Sequence, residues 1–384
     1  MRSFFMLLGL WSVFAIFPLL DNAAIILPDH IVSQVDMLID TEIQEENLPS
    51  LILGIWIPGE GEYTVAKGYA NLETLELRTI EQPFRIASIT KTFTGLVVLT
   101  LIDDGLLAWD NTIDKWYPDF PHADSVTIQN LLEMRSGIAD YASHEFLHEI
   151  YKNTLLAFTF EELLEISANK SDLFEPSDQK TKYCNMNFTM LGDIVEKVTG
   201  DSLGQVIQDR ISTPLGLTNT IYAKDEQLPG SLRGYSWNAE LNQFEDKTEV
   251  MSGAWANGAG AMISTLQDTK VYAKALYQGV LLSPETHAKQ LQTHAFDESP
   301  DWMRYGSGIT DLGGFWGHNG TIFGFSSEMF YYPPKDAVII VNTNRLDEDD
   351  VSMSTNFFLR LVTILFPGSA PWDPQSQAKH WELY

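Results

Sequence analysis

The feature that most constrains this chain is the run 89–104, where Phe93, Leu96, Val97, Val98, Leu99, Leu101 and Ile102 are apolar. At a helical period they cover nearly the whole circumference, so such a helix has no face left for water and must be buried inside a sizeable protein. It stops at Asp103-Asp104-Gly105, where glycine supplies a left-handed cap. A short strand-like piece carrying Phe84 and Ile86 leads into it, and Ser88 falls at the junction. Lys91 follows three residues later, one turn on and on the same face. A serine hydroxyl needs a neighbouring base to become a nucleophile, and a helix N-terminus adds unpaired N–H groups that stabilise negative charge. The layout is that of a serine acyl-transfer site with lysine in place of histidine.

The Ser-x-x-Lys spacing alone proves little, because Ser167-Ala-Asn-Lys170 and Ser177-Asp-Gln-Lys180 repeat it in polar, breaker-rich sequence. What separates Ser88 is its context, a strand before and a buried helix after. Composition narrows the rest. A net charge of −28 repels a phosphate backbone and an anionic membrane surface, which argues against nucleic acid as a partner. One cysteine, Cys184, excludes an internal disulfide framework and makes a cysteine-rich zinc site implausible. Residues 1–24, with Arg2 followed by an apolar run, read as a signal peptide, which places the protein in a secreted or periplasmic location. An uncleaved signal acting as a short anchor stays open as the alternative. No later stretch is long and apolar enough to span a bilayer.

Taken in order, 29–46 reads as an amphipathic helix, and 51–57 and 63–69 as a hairpin around Gly59-Glu-Gly61. Helices are expected at 127–134, 160–168, 187–198, 265–277 and 283–292, with loops and short strands over 225–260. Strand patterns return at 302–309, 315–318, 321–332 and 338–344, followed by a closing helix at 351–365. Strands at both ends with helices between predict an α+β fold, an antiparallel sheet built from both termini and flanked by helices. The expected division is a sheet region of 25–105 with 300–384, and a mainly helical insertion of 106–299.

A site at Ser88 and Lys91 needs further groups. Tyr183-Cys-Asn185 offers a phenol and an amide on one side of an extended segment, although Tyr151-Lys-Asn153 has the same spacing. His318-Asn-Gly320 offers an imidazole, cationic or hydrogen-bonding, beside a glycine that lets a substrate backbone approach; a lone histidine is more often structural. A competing pattern, His144-Glu145-Phe-Leu-His148, matches the zinc-protease spacing His-Glu-x-x-His. Its loop-like, polar setting favours an exposed helix near a cleft rim, with no metal.

With Ser88-x-x-Lys91, Tyr183-x-Asn185 and His318-x-Gly320 in that order, the chain resembles the serine β-lactamase and penicillin-binding superfamily. It is most similar to exported D-alanyl-D-alanine carboxypeptidases whose third motif begins with histidine. The likeness extends to Leu131-Leu-Glu-Met-Arg-Ser-Gly-Ile138, Thr213-Pro-Leu-Gly-Leu217, Gly258-Ala-Gly-Ala-Met-Ile-Ser-Thr265 and Gly317-His-Asn-Gly-Thr-Ile-Phe-Gly324. The resemblance implies that Ser88 becomes acylated and that Lys91 and Tyr183 exchange its proton. It further implies that Asn185 orients the substrate amide, that the N–H groups of Ser88 and Thr321 form the oxyanion hole beside Gly320, and that Trp255 walls the cleft. His318 stands where related enzymes carry lysine, to polarise Tyr183 or meet a substrate carboxylate. No cofactor is implied, and the substrate is a small peptide, amide or ester such as a peptidoglycan stem peptide. Two departures stand out: Gly308-Ile-Thr310-Asp311 lacks the arginine that clamps a terminal carboxylate in the carboxypeptidases, and Asn319 replaces a hydroxyl residue. These open esterase, amidase, β-lactamase and D-aminopeptidase activities beside the carboxypeptidase; a catalytically silent penicillin-fold binding protein is the non-enzymatic alternative.

Overall fold

The computed structural model describes residues 26–171, 173–176, 180–223, 227–249, 255–348 and 353–372. The expected signal peptide, the Ser177 end of the third Ser-x-x-Lys match and the first two residues of the closing helix lie outside them. Among the described residues a nine-stranded antiparallel sheet runs in the order β3-β2-β1-β14-β13-β12-β11-β10-β9. Its first three strands are β1 (Ser50–Ile57), β2 (Gly61–Asn71) and β3 (Glu76–Leu77). The others are β9 (His294–Ala295), β10 (Met303–Tyr305), β11 (Thr310–Leu312), β12 (Phe315–Ile322), β13 (Phe325–Tyr332) and β14 (Ala337–Thr343). The two ends of the chain meet at the centre, where Leu51 faces Thr343 and Ile55 faces Ile339. Every residue of β1 and β14 is buried, as expected of central strands covered on both faces.

Helices cover the two faces. Side chains of adjacent strand residues point to opposite sides. Phe330 packs on Phe358 of the Met353–Leu365 helix at 4.7 Å, whereas Tyr331 packs on Tyr277 of the Leu266–Gln278 helix at 5.0 Å. The same helix stacks Tyr272 on Phe93 at 3.6 Å, tying the central apolar helix, Thr90–Asp103, to the sheet layer. That central helix is buried over twelve of its fourteen residues, and Gly105 (φ 72°) closes it in the left-handed region. A small sheet of β4 (Phe84–Arg85), β8 (Met262–Ser264) and β5 (Ile221–Tyr222) fixes its start. A separate hairpin, β6 (Tyr235–Asn238) with β7 (Gln243–Asp246), lies in the region expected to hold loops and short strands. Among the described residues no helix is long and apolar enough to cross a membrane.

Three expected boundaries move, the first two for a local reason. The run 321–332 is broken, because Gly324 (φ 83°) turns the chain between β12 and β13 and its missing Cβ leaves room for Gly234. The run 302–309 is cut to β10, with Gly306 and Gly308 in the turn before β11. The helix expected at 187–198 begins earlier and spans Asn185–Thr199.

Glu328 is buried on the face of β13 that meets the Met353–Leu365 helix, where Ser354 (2.8 Å) and Thr355 (2.7 Å) donate hydroxyls to its Oε1. Burial pushes its carboxyl up from 4.5 to about 7, although the two hydroxyl bonds act in the opposite direction. A folded-state value above the unfolded one means stability fully present below pH 4.5 and lost as the pH rises through about 7. Glu328→Gln is expected to flatten that loss. Urea unfolding of both proteins from about pH 4 to pH 8 should show the wild type falling relative to the variant; parallel curves would overturn the assignment.

Candidate active site

Ser88 sits in a one-turn 3-10 helix, Ala87–Ile89, immediately before the Thr90–Asp103 helix. Ile86 N donates to Met262 O at 3.0 Å, so β4 and β8 hold the approach, and Ala87 is forced to φ 47°. A left-handed alanine costs on the order of 1–2 kcal/mol and persists only where packing over-determines it. Here β12 does so. A Cβ on Gly320 would lie 2.3 Å from Ile86 O and 2.9 Å from Ser88 N, so glycine alone lets the strand run against the nucleophile turn.

Lys91 is completely buried beside this turn. Its Nζ lies 3.0 Å from Ser88 Oγ, 2.8 Å from Asn185 Oδ1 and 2.9 Å from Ala259 O. Burial pulls its ammonium down from 10.5 to about 7, partly offset by the Asp140 carboxylate. Two of the three neighbours, an amide oxygen and a backbone carbonyl, can only accept. The two hydrogens of a neutral amine therefore go to them, and its lone pair is left for the serine proton.

The other expected residues converge on the same place. Tyr183 presents its ring to Lys91, with Nζ 4.8 Å from the centroid, and lies 6.2 Å from the His318 ring. Asn185 is the first residue of its helix, not part of an extended segment. Cys184, between the two, is buried, and burial holds its thiol well above the ordinary range. Ser88, Asn185, Trp255 and Thr321 line one cavity of about 500 Å³. Trp255 packs on Phe323 at 5.9 Å, and Tyr141, Leu147 and Ile322 extend the apolar wall.

Of the two states open to His318, the structure selects the neutral one. Burial first, and the Lys91 charge second, pull it down to about 3. Its Nδ1 contacts Asn319 O, which can only accept, so Nδ1 carries the hydrogen and Nε2 faces Tyr305 Oη at 3.4 Å. It therefore offers no positive charge to a substrate. Arg304 is not among the residues lining the cavity, and its guanidinium donates to Thr293 Oγ1 (2.9 Å) and Thr293 O (2.7 Å).

His144 and His148 lie on the Ser143-capped helix His144–Lys152 at the cavity rim, their rings 6.3 Å apart. His148 Nδ1 pairs with Glu348, and among the described residues no group of three or more His, Cys, Asp or Glu could hold a metal ion. Sequence reasoning missed three carboxylates on the cavity wall, Asp140, Asp347 and Glu348. Asp347 is paired with Arg345, while Asp140 accepts four N–H groups, three of them at the start of the Asn185 helix and one from Ala142. No local pattern marks Asp140, because the helix it caps begins 45 residues away.

The chain is similar to known proteins in sequence and in fold. Penicillin-binding protein 4* of Bacillus subtilis (strain 168) is 25% identical over 344 residues, 84% of this chain and 74% of the relative. The D-stereospecific amidohydrolase from Streptomyces sp. superimposes with a TM-score of 0.77 at 25% identity, covering 89% of this chain and all of that one (100%). The D-amino acid amidase from Ochrobactrum anthropi SV3 gives 0.77 at 24%, over 88% and 98%. The sequence model of the Beta-lactamase family matches residues 35–362, and with that the chain belongs to the beta-lactamase family, as a serine hydrolase of the β-lactamase/penicillin-binding fold.

Proposed function

We propose that the enzyme cleaves amide or ester bonds whose carbonyl side bears an amino group or an apolar chain, and that it is an amidase or esterase more than a carboxypeptidase. The observation that carries this is the cavity wall: aromatic and aliphatic side chains with the Glu348 carboxylate, and no lysine or arginine among the described lining residues. A peptide with a free C-terminus would bring a carboxylate to a wall that has no cation for it, and His318 is uncharged. The likeness to a D-stereospecific amidohydrolase supports amides of D-amino acids as the first class to try. The D-alanyl-D-alanine carboxypeptidase is the second reading, favoured by the His318-x-Gly320 motif.

In this mechanism the neutral Lys91 amine takes the Ser88 proton as Oγ bonds to the carbonyl carbon. The N–H groups of Ser88 and Thr321 hold the oxyanion. The tetrahedral intermediate collapses, the C–N or C–O bond breaks, and the Lys91 ammonium returns its proton to the leaving amine or alcohol, with Tyr183 beside it as the second proton carrier. Water then attacks the acyl-enzyme with Lys91 again as base, and release of the acid regenerates Ser88. Export through residues 1–24 completes the proposal and puts the site in contact with extracellular or periplasmic substrates.

Two measurements test it. A fluorophosphonate or fluorescent penicillin should label the wild type and leave Ser88→Ala unlabelled. On a panel of a D-amino acid amide, a nitrophenyl ester, a chromogenic cephalosporin and a D-Ala-D-Ala peptide, the amide or ester should lead the peptide in kcat/KM by about 10–100-fold. That factor is the worth of one missing charge-assisted bond; a peptide that leads instead restores the carboxypeptidase reading. The pH profile is a separate check. The active form needs neutral Lys91, so kcat/KM should fall about tenfold per unit of pH below about 7 and level off above it. Activity that stays flat down to about pH 5 would exclude Lys91 as the base.

A further inference from the structure

We propose that Asp140 is a positioning residue of this site: its carboxylate fixes the orientation of the Asn185 amide so that the amide oxygen, not the nitrogen, faces Lys91. The inference rests on the reading of Ser88 and Lys91 as nucleophile and base.

An asparagine amide is almost symmetric in shape, and only the polarity of its neighbours chooses between its two orientations. Asn185 lies between two such neighbours. On one side Asp140 Oδ2 accepts from Asn185 Nδ2 at 2.9 Å, and on the other Lys91 Nζ donates to Asn185 Oδ1 at 2.8 Å. Rotating the amide would set an oxygen against the carboxylate, a repulsive contact in a partly buried place whatever the state of the lysine, and would set a nitrogen against the lysine when it is charged. A carboxylate accepts only, whereas the lysine changes character as it titrates, so Asp140 is the neighbour that keeps the amide oriented through the cycle.

The Asp140 oxygens have no capacity left for substrate. Oδ2 also accepts from Asn185 N at 2.9 Å, and Oδ1 accepts from Ala142 N at 3.2 Å and Met186 N at 3.3 Å. This cluster caps the fifteen-residue Asn185–Thr199 helix, whose N-cap residue, Cys184, makes no side-chain cap of its own. The loop carrying Asp140 is gripped in turn. Ser167 Oγ donates to Ala139 O, Lys170 Nζ donates to Asp140 O (2.7 Å) and Tyr141 O (3.2 Å), and Tyr141 Oη donates to Trp255 O at 2.5 Å. The second Ser-x-x-Lys match, Ser167 with Lys170, thus has a job: it holds the backbone on either side of the aspartate.

The groups around Lys91 leave Asp140 as the anion that acts on it. Cys184 is a buried neutral thiol, His318 is neutral, Tyr183 presents its ring, and Asn185 and Ala259 contribute only dipoles. The Asp140 charge raises the lysine against the stronger effect of burial.

The test reads Lys91 itself. In protein carrying 13C-labelled lysine, the Cε signal assigned by its loss in Lys91→Arg is titrated in the wild type, in Asp140→Asn and in Asp140→Ser. Asparagine keeps the volume, and serine keeps a hydroxyl able to cap the helix. Both variants are expected to move the Lys91 midpoint down by on the order of one pH unit. The acid limb of fluorophosphonate labelling at Ser88 should move with it, and the limiting rate should fall by about tenfold or more as the amide loses its fixed orientation. If thermal stability drops while the midpoint and the limb stay put, Asp140 is only a helix cap and the proposal fails. If the wild type is never labelled at Ser88, the hydrolase reading fails, while the Lys91 titration still decides the place of Asp140.

Discussion

Everything in this site depends on one amine being taken out of water. Lys91 has no exposure, and the cost of burying its charge brings it to about 7, where it can hold or release a proton under ordinary conditions. The same side chain on a surface helix would stay protonated and could not accept from Ser88. Two acceptors, Asn185 Oδ1 and Ala259 O, then give the amine a direction. Burial sets its basicity and hydrogen bonding sets its aim.

The fold supplies that burial by bringing both ends of the chain to the nucleophile. β1 and β14 pair at the centre of the sheet, which carries β12 into contact with the turn at Ala87 and Ser88. The approach is close enough that Gly320 admits no side chain, and it holds Ala87 in a conformation alanine would otherwise avoid. The opposite face of the same strands is polar too. Asn319 faces Glu328 across β12 and β13, and the carboxylate meets Ser354 and Thr355. The strand that confronts the nucleophile is therefore backed by a buried titratable group, not by an apolar layer alone.

Much of this was legible in the sequence, and the legible parts share a cause. The central helix could be read because its apolar residues leave no solvent face, and the two-ended sheet because strand patterns cluster at both termini. The five motif residues could be named because each has a local setting: a strand-to-helix junction for Ser88 and Lys91, a pre-helical segment for Tyr183 and Asn185, a glycine-bearing strand for His318. The strand breaks at Gly306, Gly308 and Gly324 were missed because aromatic and β-branched residues continue the pattern through them. The start of the Asn185 helix was missed because its cap comes from Asp140, a residue no local signal connects with it. The state of His318 could not be read either, since its burial against Tyr305 and its nearness to Lys91 are made by distant segments.

By itself, the sequence determined which chemistry was available: an alcohol one turn from an amine, at the head of a helix that has to be buried, in a chain able to close a sheet from its two ends. Tertiary structure alone decided what those groups do. Proton affinity and amide orientation depend on what surrounds a side chain in three dimensions, and here the surroundings of Lys91 come from Asp140, Asn185, Ala259 and His318, none of them a near neighbour along the chain.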